Sequence, residues 1–150
     1  MGTNWLNDDG LNIQYGTRVS DNQRPAEVAV DGVEKELVID FGFDSLPSPT
    51  NGDGGIMSIP AGASIMSATL IGKTAWTGLT DMDIGLQQQD GTEIDNDGLV
   101  ANELAVTAGE VVTGAGALVG TTTAAEGYIV ATAAGATAGT AKLVVKYIVA

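Results

Sequence analysis

Residues 67–74, SATLIGKT, end like a phosphate-binding loop. The full motif G-x-x-x-x-G-K-[ST] begins with glycine and joins a strand to a helix, so that backbone amides and a lysine surround the phosphates. This chain has Ser67 at the first position, and Gly72, Lys73 and Thr74 continue a strand pattern. We therefore expect this segment to be part of a strand and not a nucleotide site.

A second glycine pattern is formed by Gly114, Gly116 and Gly120. Its spacing, G-x-G-x-x-x-G, is one residue longer than the dinucleotide-binding fingerprint, and no helical pattern follows it. The sequence therefore predicts a glycine-rich turn at this place.

The acidic residues 90–98, DGTEIDNDG, are the best candidate for a metal site. Positions one, three, five and six of a calcium-binding loop would be Glu93, Asp95, Asp97 and Gly98. Position twelve is Leu104 instead of a bidentate glutamate, and Glu103 lies one place away. We predict no bound metal, but the sequence leaves open both a calcium site and an acidic, solvated turn.

The chain has few groups suited to catalysis, because it contains no histidine and no cysteine. A glycosidase would need two carboxyl groups, one with a raised pKa, and the acidic residues fall mostly in predicted turns. We therefore predict a protein that is not an enzyme, with no catalytic residue and no cofactor. Sugar binding without catalysis stays open, because Trp5, Tyr15 and Trp76 could stack on a sugar ring, although Trp76 is expected in the core.

The charge of the chain limits its partners. Its 150 residues include 19 acidic and 6 basic side chains, which give a net charge of −13. Nucleic acids and anionic membranes both need clustered lysine and arginine, so neither is expected as a partner. No apolar run is long enough for a transmembrane helix, and the first ten residues lack the pattern of a secretory signal.

The longest strand pattern covers residues 59–77. Alternation predicts a core face formed by Met66, Ala68, Leu70 and Trp76. On the other face, Ile65 and Ile71 also need cover, either from a second layer of the same domain or from a neighbouring subunit. We expect the cover to come from the domain itself.

Other segments also read as strands joined by turns. The predicted strands are residues 11–19, 27–30, 36–41, 82–88, 110–112, 117–119, 128–132 and 142–149. The turns include a hairpin at Asp31 and Gly32, a loop at residues 44–55 and turns at residues 90–91 and 95–98. Together they predict an all-β fold, an antiparallel jelly-roll-like β-sandwich. Residues 1–10 are expected to form a short extended N-terminal arm, and residues 11–150 a single β-sandwich domain.

Three segments together resemble a group of small structural proteins of tailed bacteriophages, especially short-tailed phages of marine and environmental bacteria. They are NWLNDDGLNIQYGT at residues 4–17, IPAGASIMSATL at 59–70 and DMDIGLQQQDGTEIDNDGLV at 81–100. A similar opening, a similar IP-x-x-A strand and a similar D-I-G-L strand followed by a D-G turn occur in that group in the same order. GALVGTT at residues 116–122 and the terminal strand also look like the end of those proteins.

The resemblance implies a capsid decoration, or cement, protein. Such a protein binds the outer surface of the icosahedral head as a homotrimer at threefold or quasi-threefold positions, and stabilises contacts between major capsid subunits. It would be assembled in the host cytoplasm and carried on the virion. Trp5 and Leu6 are the candidates for contact with the capsid or a neighbouring subunit. The alternative is a carbohydrate-binding β-sandwich module, or a head or tail fibre component, that contacts host polysaccharide.

Overall fold

The computed structural model describes residues 3–6, 12–15, 34–49 and 58–149. The chain divides into two compact units, Met1–Asp31 and Gly32–Ala150. In the first unit, β1 (Thr3–Leu6) pairs antiparallel with β2 (Asn12–Tyr15), which lies within the strand expected at residues 11–19. The predicted strand at residues 27–30, the hairpin turn at Asp31 and Gly32, and residues 50–55 of the predicted loop lie outside the described residues, while residues 44–49 contain no strand, as expected for a loop. The predicted boundary between arm and domain stays a prediction.

The second unit is built from eight described strands in two antiparallel sheets. The strands are β3 (Glu34–Gly42), β4 (Ser58–Ile59), β5 (Ala63–Thr77), β6 (Asp81–Gln87), β7 (Glu93–Glu103), β8 (Val111–Thr113), β9 (Gly127–Ala134) and β10 (Ala138–Val149). The first sheet has the order β3-β10-β5-β8, and the second has the order β4-β9-β6-β7. The predicted all-β sandwich is confirmed, while its jelly-roll connectivity stays a prediction. None of the described elements is a helix that could span a membrane.

One apolar core lies between the two sheets. Leu70 and Leu143 from the first sheet, and Ile84 and Leu86 from the second, are completely buried in it. Each fully buried side chain of this size contributes about 1.5–3 kcal/mol relative to an exposed one. The core is therefore the main source of stability, as the aliphatic composition suggests.

A β-bulge in β5 changes which residues face the core. Ile65 pairs with Tyr147 of β10 and Ser67 pairs with Lys146, so Met66 has no partner in the ladder. An extra residue of this kind reverses the alternation of a strand. Ile65 is therefore fully buried, whereas Met66 is 54% exposed.

The prediction that Met66 belongs to the core is wrong for this reason. The prediction for Ala68, Leu70 and Trp76 is confirmed, since all three are buried. Ile65 is covered within the domain, as expected. Ile71 remains only half-buried.

A predicted turn in the acidic segment and a predicted strand in the glycine-rich segment are also corrected. The expected turn at residues 95–98 belongs to β7, whose buried Leu99 and Val100 hold it against the core. The expected strand at residues 117–119 is a turn, in which Val119 donates its N–H to the Gly116 carbonyl at 3.1 Å.

Candidate interaction surface

The glycine of the phosphate-loop-like segment allows two chain segments to pass closely. A Cβ atom at Gly72 would lie 2.0 Å from the carbonyl oxygen of Thr107. The Gly72 N–H donates to the Glu110 carbonyl at 2.9 Å, and the Gly109 N–H donates to the Gly72 carbonyl at 2.7 Å. Gly72 thus lets the segment before β8 lie against β5, and its role is in packing.

The next two residues of that segment make contacts across the first sheet. The Lys73 Nζ atom lies 3.2 Å from Asp40 Oδ1, and both side chains are about half exposed. The hydroxyl groups of Thr74 and Thr140 share a hydrogen bond of 2.8 Å. As expected, Gly72, Lys73 and Thr74 are strand residues.

The glycine-rich segment bridges the two sheets. The Gly114 N–H donates to the Ala68 carbonyl of the first sheet at 2.7 Å, and the Gly116 N–H donates to the Leu99 carbonyl of the second sheet at 3.2 Å. A Cβ atom at Gly116 would lie 2.2 Å from the carbonyl carbon of Gly98. These glycines therefore close one side of the sandwich by bringing backbones into contact.

The acidic segment comprises the turn between β6 and β7 and the first part of β7, instead of a calcium-binding loop. Glu93, Asp95 and Asp97 all lie in β7. Asp90 accepts the Thr92 N–H at 2.9 Å in the preceding turn, and this bond lowers the pKa of Asp90. In the described part of the chain, no group of three or more acidic side chains is placed to hold a metal ion.

The pKa of Asp95 is shifted in the opposite direction. A hydrogen bond to the Asp97 side chain, together with loss of hydration, raises the pKa of Asp95. The negative charges of Asp97 and Glu93 act in the same direction. This crowding of carboxylates stores unfavourable electrostatic energy in β7 at neutral pH.

Of the aromatic residues that could stack on a sugar, only Trp76 has a described side chain. Trp76 is only 8% exposed, and its ring centre lies 6.0 Å from that of Phe41. It is therefore a core residue, as expected, and not a platform for a sugar. Trp5 pairs with Ile13 and Leu6 pairs with Asn12 in the β1–β2 ladder, but their side chains lie outside the described residues. Their role in contacts stays a prediction.

The outer face of the first sheet carries exposed aliphatic side chains. We define it by two cross-strand rows. One row is Val38, Val144, Thr69 and Thr113, and the other is Asp40, Lys142, Ile71 and Val111. Val38 is 41% exposed and Val111 is 62% exposed. Because cross-strand neighbours are only about 5 Å apart, these aliphatic side chains are adjacent in space.

The same sheet carries the lysines of the chain. The four lysines are Lys35, Lys73, Lys142 and Lys146, and the strands of the first sheet hold all of them with three acidic residues, for a net charge of +1. The strands of the second sheet hold six acidic residues and no basic one, for a net charge of −6. In a chain of charge −13, the strands of the first sheet are thus nearly neutral, and Lys142 and Lys146 lie directly opposite Asp40 and Glu36 in the ladder.

The residues that β10 contributes to this face could be recognised from the sequence alone. Lys142, Val144 and Lys146 alternate with the buried Leu143 and Val145 in β10. The neighbours of these residues come from β3 and β5, which are far from β10 in the sequence. Only the sheet order brings them together.

The sequence was also compared with known proteins. No protein-family model matches it, and no curated protein matches it. Among solved structures, a chain of the capsid asymmetric unit of cyanophage Pam1 is similar over 89% of this chain and 98% of that chain, with 17% sequence identity and a TM-score of 0.39.

Proposed function

We propose that the protein is a non-enzymatic structural protein of a phage virion, which binds the outer surface of the icosahedral head and stabilises contacts between major capsid subunits. The observation that carries the proposal is the resemblance of three segments, in the same order, to small structural proteins of tailed phages. These segments span residues 4–17, 59–70 and 81–100. The cement role is what that resemblance implies.

Two of these segments build both layers of the sandwich. Residues 59–70 run from Ile59 through the first half of β5, and residues 81–100 comprise β6, its turn and most of β7. Within the D-I-G-L motif, Ile84 and Leu86 are buried, and a Cβ atom at Gly85 would lie 1.9 Å from the Asp95 carbonyl oxygen. The motif residues therefore specify packing, which supports a shared architecture as the meaning of the resemblance.

The mechanism that we propose is passive. A protein that binds the assembled head but not separated subunits shifts the equilibrium towards the assembled shell by mass action. At a free concentration one hundred times the Kd, each site contributes about 2.7 kcal/mol. The stabilisation of the shell comes only from the preference of the protein for the assembled head.

The proposed assembly is a homotrimer at threefold or quasi-threefold positions of the head. Three copies joined in this way contact three capsid subunits at once, so that weak single contacts add up to firm attachment. Trp5 and Leu6 are proposed to contribute to these contacts, either with the capsid or with a neighbouring copy. The major capsid protein is the proposed partner, and the outside of the virion the proposed location.

A binding experiment with purified components tests the proposal. Heads that lack this protein are incubated with it and sedimented, and the bound protein is quantified. We expect saturable binding with a fixed copy number per head, and a higher temperature of DNA release from decorated heads. Absence of binding, together with binding to a bacterial polysaccharide in a glycan array, would favour the carbohydrate-binding alternative.

A further inference from the structure

We propose that the free edge of β3 is a site of strand addition, at which an extended segment of a capsid subunit pairs with the main chain between Glu36 and Asp40. The inference rests on the proposed function and adds which part of the protein is used and what kind of segment it takes. It is carried by the unpaired main-chain groups of this edge, by the half-buried side chains beside them and by the charges along the strand.

The hydrogen-bond pattern of β3 shows which of its residues face the free edge. β3 pairs with β10 on one side only, without a shift of register. In an antiparallel ladder, pairs of residues that exchange two main-chain bonds alternate with pairs that exchange none. The Phe43 N–H donates to the Gly139 carbonyl at 3.1 Å, one position beyond the ladder, so the odd-numbered residues of β3 are bonded to β10. The even-numbered residues therefore direct their N–H and C=O groups away from β10.

Gly42 shows the same direction and marks the end of the site. Its N–H donates to the Ser45 hydroxyl at 3.0 Å, and its carbonyl accepts the Ser45 N–H at 3.0 Å. In the part of the chain that the structure describes, nothing bonds in this way to the main-chain N–H and C=O groups of Glu36, Val38 and Asp40. Donors and acceptors thus alternate along this edge, and an added strand is the ligand that satisfies such a row.

The other edges of the sandwich are short or are crossed by other segments. β4 has two residues and β8 has three. Beyond β8, the chain continues along β5, where the Gly120 N–H donates to the Ile65 carbonyl at 2.8 Å. On β7, the Leu118 N–H donates to the Gly98 carbonyl at 2.9 Å. Among the described strands, β3 therefore offers the longest regular run of unpaired main-chain groups.

The core side of β3 is only partly covered. Leu37 and Ile39 pack against the core and lie opposite Val145 and Leu143 of β10. The two β10 residues are completely buried, whereas Leu37 and Ile39 are half-buried. A strand next to β3 would place its own side chains beside these two residues. Main-chain pairing and apolar cover therefore specify the same occupant, an extended segment with two apolar side chains two residues apart.

The acidic residues of β3 disfavour a second copy as this occupant. Like charges that lie directly opposite each other destabilise a sheet. Two-fold antiparallel pairing of two β3 strands, centred on residue 36, 37 or 38, puts an acid opposite an acid, such as Glu36 opposite Asp40 of the other copy. Pairing centred on residue 39 brings Glu36 to Gly42, whose main-chain groups are already bonded to Ser45.

The same charges define the partner segment. Lys146 and Lys142 of β10 already lie opposite Glu36 and Asp40. The segment therefore needs no basic side chain beside these acids, but it must not have acidic ones there.

Proline at position 38 tests the main-chain pairing. The Val38 N–H faces the free edge, so Val38→Pro removes no bond between β3 and β10, and edge strands tolerate proline in this orientation. The substitution removes the central donor of the site, and we expect it to weaken binding to heads about tenfold. Val38→Ala is the matched control, because it also changes the side chain but keeps the N–H, and it should change binding less than about threefold. Circular dichroism and thermal unfolding show whether both variants fold.

Hydrogen exchange of the unaltered protein tests the same claim without a substitution. In the free protein, the amides of Glu36, Val38 and Asp40 should exchange much faster than those of Leu37 and Ile39, which donate to β10. On heads, exchange at the three edge amides should slow by at least about tenfold, because the added strand accepts their hydrogens. Mass spectrometry with fragmentation to single residues measures both states.

The outcomes separate the two proposals. If the unaltered protein does not bind heads, the proposed function fails, and this inference fails with it. If the protein binds but the edge amides exchange as fast on heads as in the free protein, or Val38→Pro binds as well as Val38→Ala, only this inference fails. Slow exchange at the edge in the free protein also overturns it, because the edge would then already be paired within the chain or with a second copy. Slower exchange on heads, together with weaker binding of Val38→Pro, supports it. If Val38→Pro does not fold, the exchange measurement decides.

Discussion

Gly72 and Thr107 approach so closely that a Cβ atom at Gly72 would lie 2.0 Å from the Thr107 carbonyl oxygen. The atom in the way belongs to the backbone, and it is held there by the hydrogen bonds that Gly72 makes with Gly109 and Glu110. The glycine that makes residues 67–74 look like a phosphate loop is therefore required for packing.

The first prediction concerns this contact. Gly72→Ala should lower the free energy of unfolding by about 3 kcal/mol, because the neighbouring segment must move to admit the methyl group. Lys73→Ala should cost less than about 1 kcal/mol, since it removes only a half-exposed ion pair. Urea unfolding of both variants checks the prediction. A smaller loss for Gly72→Ala than for Lys73→Ala would contradict it.

The second prediction concerns the bulge in β5. Ile65→Ala should lower the free energy of unfolding by about 2–5 kcal/mol, because it leaves a cavity in the core. Met66→Ala should change it by less than about 0.5 kcal/mol, since Met66 is exposed. The two residues are adjacent, and simple alternation of the strand predicts the larger loss of stability at Met66 instead of Ile65. A larger loss at Met66 would place the bulge elsewhere.

The extent to which the sequence predicts the fold can be judged from particular strands. The alternation in β6 and β10 reflects a buried face, so β6 could be predicted within one residue of both its bounds, while β10 begins four residues before the predicted start. The bulge at Met66 could not, because it depends on the register with β10. β7 was missed because Glu93, Asp95 and Asp97 are disfavoured in strands, and tertiary packing of Leu99 and Val100 overrides that preference.

The candidate surface was even less accessible to sequence reasoning. Nothing local indicates that Val38 lies beside Val144, since 106 positions separate them and only the strand pairing joins them. The sequence motifs pointed instead to Trp5 and Leu6, whose side chains lie outside the described residues. The catalytic motifs are incomplete in the sequence itself, and the absence of catalysis stays a prediction.

The third prediction concerns pH. The pKa of Asp95 is raised in the folded state, so folding is opposed above that pKa and this penalty disappears as the pH falls through it towards the unfolded value. Asp95→Asn should therefore melt at a higher temperature than the original protein at pH 7, and the difference should narrow as the pH is lowered through that range.

Asp90 provides the matched control for this effect. Its pKa is lowered by the hydrogen bond from Thr92, so its charge favours folding at neutral pH and that contribution is lost as the pH falls. Asp90→Asn should melt at a lower temperature than the original protein at pH 7. Thermal unfolding between pH 3 and pH 8 measures both variants, and equal shifts of the same sign would refute the assignment.

The fourth prediction concerns the first unit. Trp5→Ala and Leu6→Ala are expected to weaken binding to heads, because they remove the two large apolar side chains of β1. Thr3→Ala, in the same strand β1, is the control and should have little effect. Sedimentation with heads provides the measurement. Binding that is unchanged in both variants would remove these two residues from the interface.

The most direct test of the proposed function is cryo-electron microscopy of heads incubated with the purified protein. We expect additional density on the outside of the shell, at threefold or quasi-threefold positions, in contact with the major capsid protein. Heads that show no additional density at saturating protein concentration, or density only on tail or fibre structures, would contradict the account.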